Sequence, residues 1–254
     1  MPVEVSNWGE LNNIRIEPSE DYVLANDLDS NTSGYQEYVD QNNSRGGWRP
    51  IPNFTGTFDG QNNEIRDLRQ IVEPNNEGVN YDNAGLFGEI TSSSTVQNLT
   101  ISNFGTGTNF SGDIRRYGAV AGRVNNSTVS NVRVEDFNLD SDNNGSIDYI
   151  GALAGRVTNS STIEHCYVDG TSGSNQVRGY RHGTGGFVGE LQGNSTITDS
   201  IANDVDVRAN QNNNATAGGF VGDCTQSTIE RCVSAPDRID VDRDDSDGGY
   251  FVGR

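Results

Sequence analysis

The sequence predicts an all-β protein built as a parallel solenoid, and three observations support this prediction. A phrase made of a small residue, glycine, two or three apolar residues and a closing glycine recurs six times. A second phrase, rich in β-branched residues, keeps step with the first, and no repeat shows a helical apolar stripe. The closing glycines are spaced by 34, 33, 34, 33 and 31 residues, and they are Gly88, Gly122, Gly155, Gly189, Gly222 and Gly253. Such regular self-similarity is typical of stacked repeats.

The second phrase predicts short strands that pair between successive coils. It begins at Thr95, Thr128, Thr162, Thr196 and Thr228. One unit of about 33 residues cannot bury its own apolar face, but stacked units can, with strands about 4.8 Å apart. The glycines then mark either corners with positive φ or places where neighbouring backbones come close. A β-sandwich with look-alike hairpins is the alternative, which the fixed spacing of two phrases disfavours.

The chain divides into a lead-in segment, residues 1–82, and the repeats, residues 83–254. In the lead-in, Ser6 is the predicted N-cap of a short helix that lays Trp8 and Leu11 over the open end of the first coil. Residues 22–28 form the predicted first strand. Residues 29–47 are a polar surface loop, and residues 54–68 read as strand, tight turn, strand.

The phrases Gly85-Leu86-Phe87-Gly88 and Thr162-Ile163-Glu164-His165-Cys166 resemble the GLUG repeat of large bacterial and archaeal surface proteins. Segments such as 8–14, 22–28 and 54–60 resemble the lead-in that those proteins commonly have. The resemblance covers nearly the whole chain. It implies a right-handed parallel β-helix displayed outside the cell, and it brings no catalytic motif with it.

The charge pattern points to a salt-rich environment. The net charge is −19, and all 17 basic residues are arginine. An acidic surface of this kind repels itself unless salt screens it, which favours a halophilic archaeon as the source; ordinary acidity is the alternative. No basic patch is available to neutralise phosphates, so nucleic-acid binding is disfavoured. No apolar run is long enough to span a bilayer.

One loop matches the first nine positions of an EF-hand calcium loop. Its candidate oxygen ligands are Asp140, Asp142, Asn144, Ser146 and Asp148. The bidentate Glu of the full motif is replaced by Gly151, and the flanking helices are missing. The sequence therefore predicts a Ca²⁺ site of abbreviated form, with a solvated acidic loop as the alternative.

Three N-glycosylation sequons precede the second phrase in successive coils, at Asn126, Asn159 and Asn194. Stacked in register, these residues would form a column along one edge of the solenoid. The alternative is that asparagine there only satisfies turn backbone.

The chain stops one strand into a sixth repeat, so Tyr250, Phe251 and Val252 are expected to offer an unpaired apolar strand edge. Either the chain is a fragment of a longer repeat protein, or it docks head to tail and builds a filament.

Three functions follow from these patterns. The first is a non-catalytic extracellular stalk, filament subunit or fibrous surface protein. The second is a calcium-ordered adhesin whose long loops bind cell-surface glycans. The third, a polysaccharide-acting enzyme, is disfavoured because the acids lie mostly in variable loops.

The acidic composition predicts a strong response of stability to salt. Screening of the self-repulsion should raise the thermal midpoint steeply between low and molar NaCl. Calorimetry across that range checks this, and a flat response would contradict the halophilic interpretation.

Overall fold

The structure is a computed structural model, which describes residues 1–40, 47–70, 82–106, 114–141, 147–170, 175–209, 215–241 and 247–254. It confirms the predicted solenoid of about six turns with about 33 residues per turn. Every strand pairing described is parallel, and the strands form three sheets of 16, 5 and 6 strands. Each full coil visits the 6-stranded sheet, then the 5-stranded sheet, then the 16-stranded sheet. We call these the short, middle and long sheets.

The elements follow one another coil by coil. The lead-in contains β1 (Val3–Val5), α1 (Trp8–Asn13), β2 (Tyr22–Leu24), α2 (Tyr35–Tyr38), β3 (Thr57–Asp59), β4 (Glu64–Arg66) and β5 (Arg69–Gln70). The next two coils contain β6 (Asn83–Ala84), β7 (Phe87–Ile90), β8 (Thr95–Thr106), β9 (Arg116–Tyr117), β10 (Ala121–Asn125) and β11 (Thr128–Asp140). The following coil contains β12 (Tyr149–Gly151), β13 (Ala154–Thr158), β14 (Thr162–Glu164), β15 (Tyr167–Asp169) and β16 (Gln176–Gly179). The last elements are β17 (Gly183–Gly185), β18 (Val188–Gln192), β19 (Thr196–Thr198), β20 (Ile201–Asn203), β21 (Asp206–Ala209), β22 (Thr216–Gly218), β23 (Val221–Thr225), β24 (Thr228–Glu230), β25 (Val233–Ala235), β26 (Arg238–Val241) and β27 (Asp247–Gly249).

Equivalent residues of the repeats lie directly beside one another. The threonine that opens the second phrase pairs with its counterpart in each neighbouring coil, from Thr95 through to Thr228. The residue after it points inward, and Val96, Val129 and Ile163 are fully buried. A serine ladder precedes the threonines: the hydroxyls of Ser94 and Ser127 are 3.1 Å apart, and similar contacts continue in later coils. One continuous apolar core therefore runs from the lead-in into the repeats.

The predicted cap helix is present, but its N-cap is Asn7 and not Ser6. Asn7 is the N-cap and accepts a hydrogen bond from the Glu10 backbone amide at 3.0 Å. Ser6 instead donates to the Glu10 carboxylate from its backbone N–H at 2.7 Å and from its hydroxyl at 2.8 Å. Trp8 and Leu11 are fully buried as expected, because the helix covers the apolar end of the first coil.

Two other lead-in predictions need correction. The first strand is β1, which pairs with β2, so residues 22–28 hold the second strand, and only 22–24 of them are extended. The predicted loop 29–47 contains the short helix α2, beside which Val39 is fully buried. A four-residue helix has no amphipathic period long enough to be read from sequence. Residues 41–46 lie outside the described part.

The corners with positive φ are occupied by polar residues, not by the repeat glycines. One such column is Asn98, Asn131, His165, Asp199 and Arg231, with φ values between 50° and 54°. Among the described glycines, only Gly34, Gly47 and Gly193 have positive φ. Of the two roles considered for the repeat glycines, close approach of backbones is therefore the one that the structure supports. A methyl group at Gly185 would lie 1.9 Å from the Val188 carbonyl oxygen.

This crowding predicts that glycines of the repeat phrase differ sharply in their tolerance of alanine. Gly185→Ala should lower stability by about 2–3 kcal/mol and the thermal midpoint by roughly 5–10 °C, because backbone must move. Gly88→Ala is the matched control, since the nearest atom to its methyl group is 3.4 Å away. Equal melting temperatures for the two variants would contradict this explanation.

Candidate functional site

The closing glycine of every repeat is followed by a charged residue, and these residues stack into one column on the middle sheet. The column, which we call the charge column, contains Glu89, Arg123, Arg156, Glu190, Asp223 and Arg254. Strand register places the first five beside one another in this order. Arg254 reaches Asp223 at 2.9 Å. The signs therefore run negative, positive, positive, negative, negative, positive.

Opposite charges in the charge column form ion pairs. Arg123 lies 3.5 Å from Glu89, which also accepts a hydrogen bond from the Asn125 side chain at 2.9 Å. Arg156 is in contact with Glu190, whose side chain is only 8% exposed. Ion pairs sheltered in this way are less screened by salt than surface pairs.

The short sheet supplies a facing column of Asn83, Arg116 and Tyr149, which are neighbours in register. Arg116 donates to the Asn83 side chain at 3.0 Å. The guanidinium of Arg156 reaches across to Tyr149, 5.4 Å from the centre of its ring. The charged groups of the two sheets therefore share one cleft along the side of the solenoid.

Burial shifts the protonation equilibria in this cleft. The pKa of Glu190 is raised, chiefly by desolvation, while Arg156 opposes the rise and Asp223 adds to it. Desolvation and the Glu190 charge raise the pKa of Tyr149 to about 12. Desolvation, followed by the neighbouring charges of Arg156 and Arg123, lowers the pKa of Arg116. Like charges are thus held close together in partly dry surroundings.

Sequence reasoning missed this cleft, although its signal was present. The residue after each closing glycine is charged in all six repeats, which is unusual for a position that alternates with buried residues. The acids of the variable loops were expected to carry any chemistry, but Glu190 and Asp223 lie on adjacent strands of one face.

The predicted calcium ligands are only partly described. Asp142, Asn144 and Ser146 lie outside the described residues, as does most of the loop between β11 and β12. At its ends, Asp140 lies 3.7 Å from the Arg178 guanidinium, and Asp148 lies 3.9 Å from both Arg181 and His182. Across the described ranges, His, Cys, Asp and Glu form no group of three or more suited to a metal ion. Calcium binding stays a prediction.

The three sequon asparagines are all exposed, with φ between 49° and 59°. Asn126 and Asn194 occupy the same position, two residues before the threonine of their coil. Asn159 stands one residue earlier, and Ser160 takes the equivalent place, so the expected column is broken there. The Asn159 side chain instead donates to Asn125 at 2.8 Å. The sequence itself contains this shift, because two serines separate Asn159 from Thr162, whereas a single serine follows Asn126 and Asn194 before the threonine.

The predicted assembly residues form the rim of the last coil. Phe251 stacks on Phe220 with ring centres 5.0 Å apart, and Val252 bridges to Val221. Tyr250 is 80% exposed and stands where the two preceding coils have Gly186 and Gly219. A methyl group at Gly219 would lie 2.2 Å from the Tyr250 carbonyl oxygen, so a coil of identical geometry would not fit over Tyr250.

A polar groove of about 690 Å³ runs along the outer corner of the long sheet. Asp67, Asn103 and Asp136 form its floor at consecutive positive-φ corners. Residues 29–31 close one end, where the Ser30 backbone amide donates to Asp67 at 3.2 Å. Residues of both the lead-in and the repeats line the groove.

Comparison with known proteins agrees with the repeat architecture. Residues 148–172 match the GLUG motif, which confirms the resemblance to GLUG-repeat proteins for that stretch. The chain is also 32% identical over 134 residues to halomucin of Haloquadratum walsbyi. That match covers 49% of this chain but 1% of halomucin, so the chain corresponds to a very small part of that protein.

A solved structure with the same fold is that of a candidate immunoglobulin A1 protease from Bacteroides ovatus. The TM-score is 0.62, and the match covers 99% of this chain and 71% of that protein. The sequences are 17% identical, so the likeness concerns the fold alone. In the described part of the chain, no helix is long and apolar enough to cross a membrane.

Removing one partner of the Arg156–Glu190 pair should be strongly destabilising because both side chains are largely buried. Arg156→Met should cost about 3 kcal/mol, since it leaves Glu190 desolvated without its partner. The double variant Arg156→Met, Glu190→Leu should recover most of the loss. Arg238→Met, which removes an exposed partner of Asp240, should cost less than about 1 kcal/mol. Chemical denaturation gives the free energy of unfolding of the wild type and of the three variants.

The loss in Arg156→Met should also depend on pH. Without Arg156, the pKa of Glu190 rises further above its unfolded value. The stability that the variant gains from a protonated Glu190 is then fully present below the unfolded pKa of Glu190. It is lost as pH rises through the folded pKa, so the variant falls further below the wild type. A pH-independent difference from the wild type would contradict the role assigned to Glu190.

Proposed function

We propose that the chain is a non-catalytic, structural part of a fibrous protein on the outside of a halophilic cell. The observation that supports this best is the unbroken parallel stack with one continuous core, which makes the molecule a stiff spacer. The GLUG motif and the similarity to halomucin, by its name a mucin of a salt-loving organism, fit a cell-surface location. The net charge of −19 with arginine as the sole cation fits high salt.

Within this proposal, the rim of the last coil is the contact with the next part of the fibre. Tyr250 is 80% exposed. Ile229 and Ile239 of the last coil are partly exposed, whereas their in-register counterparts Ile197 and Val207 are fully buried beneath it. The helix α1 covers the core at the other end, so the two ends are not equivalent. The partner is a second copy of the chain or a further part of a longer protein, with an apolar surface that leaves room for the Tyr250 ring.

A second function, glycan binding, is favoured by the polar groove of about 690 Å³. Its carboxylates, amides and arginines are of the kinds that bind sugar hydroxyls. In this alternative, Ca²⁺ at the loop of residues 140–148 orders the neighbouring surface. Binding to a glycan array that is lost in Asp136→Ala would support this alternative over a purely structural role.

The surface proposal is tested on intact cells that produce the protein. Antibody labelling or mild protease treatment should detect the chain without lysis. In a separate assay, the purified protein should release neither reducing sugar from polysaccharides nor fragments from immunoglobulin A1. Labelling seen only after lysis would overturn the location, and turnover in either assay would overturn the non-catalytic role.

The assembly proposal is tested by light scattering and electron microscopy in molar salt. The intact chain should form species larger than a monomer, and Tyr250→Asp should abolish them by placing a charge in an apolar contact. Ile16→Asp is the matched control, because Ile16 is equally apolar and 70% exposed but lies in the lead-in. A monomeric wild type at all concentrations would reject self-association.

A further inference from the structure

The cleft between the middle and short sheets brings three arginines together. Arg123 and Arg156 are in-register neighbours on adjacent strands of the middle sheet. Arg116 lies on the facing strand of the short sheet, beside Tyr149, to which Arg156 reaches. The strands of Arg123 and Arg156 are about 4.8 Å apart, and, after desolvation, the charges of both arginines act on Arg116 and lower its pKa. The three guanidinium groups therefore repel one another unless negative charge lies between them.

The acids of the described cleft do not fully balance these arginines. Glu89 pairs with Arg123, and Glu190 pairs with Arg156. Among the described residues, no carboxylate lies within ion-pair distance of Arg116, and exposed Asp82 acts on it only at longer range. The five groups Glu89, Arg116, Arg123, Arg156 and Glu190 therefore have a net charge of +1 in a chain of net charge −19.

Hydrogen bonding gives a second, independent indication. The Nε atoms of Arg116 and Arg123 are buried and have no acceptor in the described part of the protein. A buried N–H of a charged group without an acceptor is costly, and such groups are normally satisfied by protein, water or an ion. Both donors belong to the cleft in which the positive charge is in excess.

We propose that this cleft is a binding site for one small monovalent anion, chloride in a salt-rich medium. The anion lies between the guanidinium groups of Arg116, Arg123 and Arg156, accepts their unused N–H donors and cancels the excess charge. It thereby removes the repulsion between two neighbouring coils. Chloride is then a specific structural component of the solenoid, distinct from the general screening that any salt provides.

The test compares salts that screen equally but differ in the anion. The thermal midpoint of the wild type should be higher in NaCl than in sodium gluconate at the same concentration, by about 3–6 °C at tenfold the Kd. Arg116→Gln should lose this difference, since the anion loses the ligand that lacks a carboxylate partner. Arg238→Gln, which removes an equally charged but exposed arginine, should retain it.

Crystals grown in NaBr give a direct readout that does not depend on any variant folding. An anomalous bromide peak between Arg116, Arg123 and Arg156 is the expected result. The absence of a peak at full data quality, or equal melting of the wild type in both salts, would overturn the proposal. So would Arg116→Gln retaining the chloride effect, because another group would then hold the ion.

Discussion

The in-register parallel stacking of coils is the constraint on which the rest of this structure depends. Because every coil repeats the path of the one before it, each residue lies beside its own counterpart at a spacing of about 4.8 Å. The close approach leaves no room for a side chain at several corners, as at Gly186, where a methyl group would lie 2.2 Å from the Gly219 carbonyl oxygen of the next coil. Glycine at these positions allows the coils to stack, and stacking buries the apolar core.

The same constraint turns single polar residues into columns whose members must suit one another. Serine hydroxyls form a ladder that satisfies buried turn backbone from Ser94 onward. Asparagine side chains bond to each other along an exposed corner, where the Asn131 side chain donates to the Asn98 side chain at 2.8 Å. Charged residues cannot repeat in this way, because identical charges would repel in every coil. In the charge column the sign changes after every two residues at most, so that opposite charges meet. Burial raises the pKa of Glu190, which lies beside the like charge of Asp223.

The charge column is balanced, with three acids and three arginines, although the chain as a whole is strongly acidic. The excess negative charge therefore lies elsewhere, largely on exposed corners and loops, where salt can screen it. The charge column thus keeps its own sheltered charges paired, whereas Arg116 on the facing sheet has no carboxylate partner among the described residues. This distribution is compatible with the proposed role in concentrated salt.

The sequence by itself determined the solenoid, its period and the inward-facing strand positions, because a fixed repeat of glycine and β-branched residues leaves few alternatives. It also located the capping helix and the burial of Trp8. The N-cap at Asn7 and the helix α2 depended on local contacts that no periodic pattern encodes. The cleft was decided only by the tertiary structure. Arg116 and Arg156 are 40 residues apart in the chain, and only the stacking of one coil on the next places both beside Tyr149.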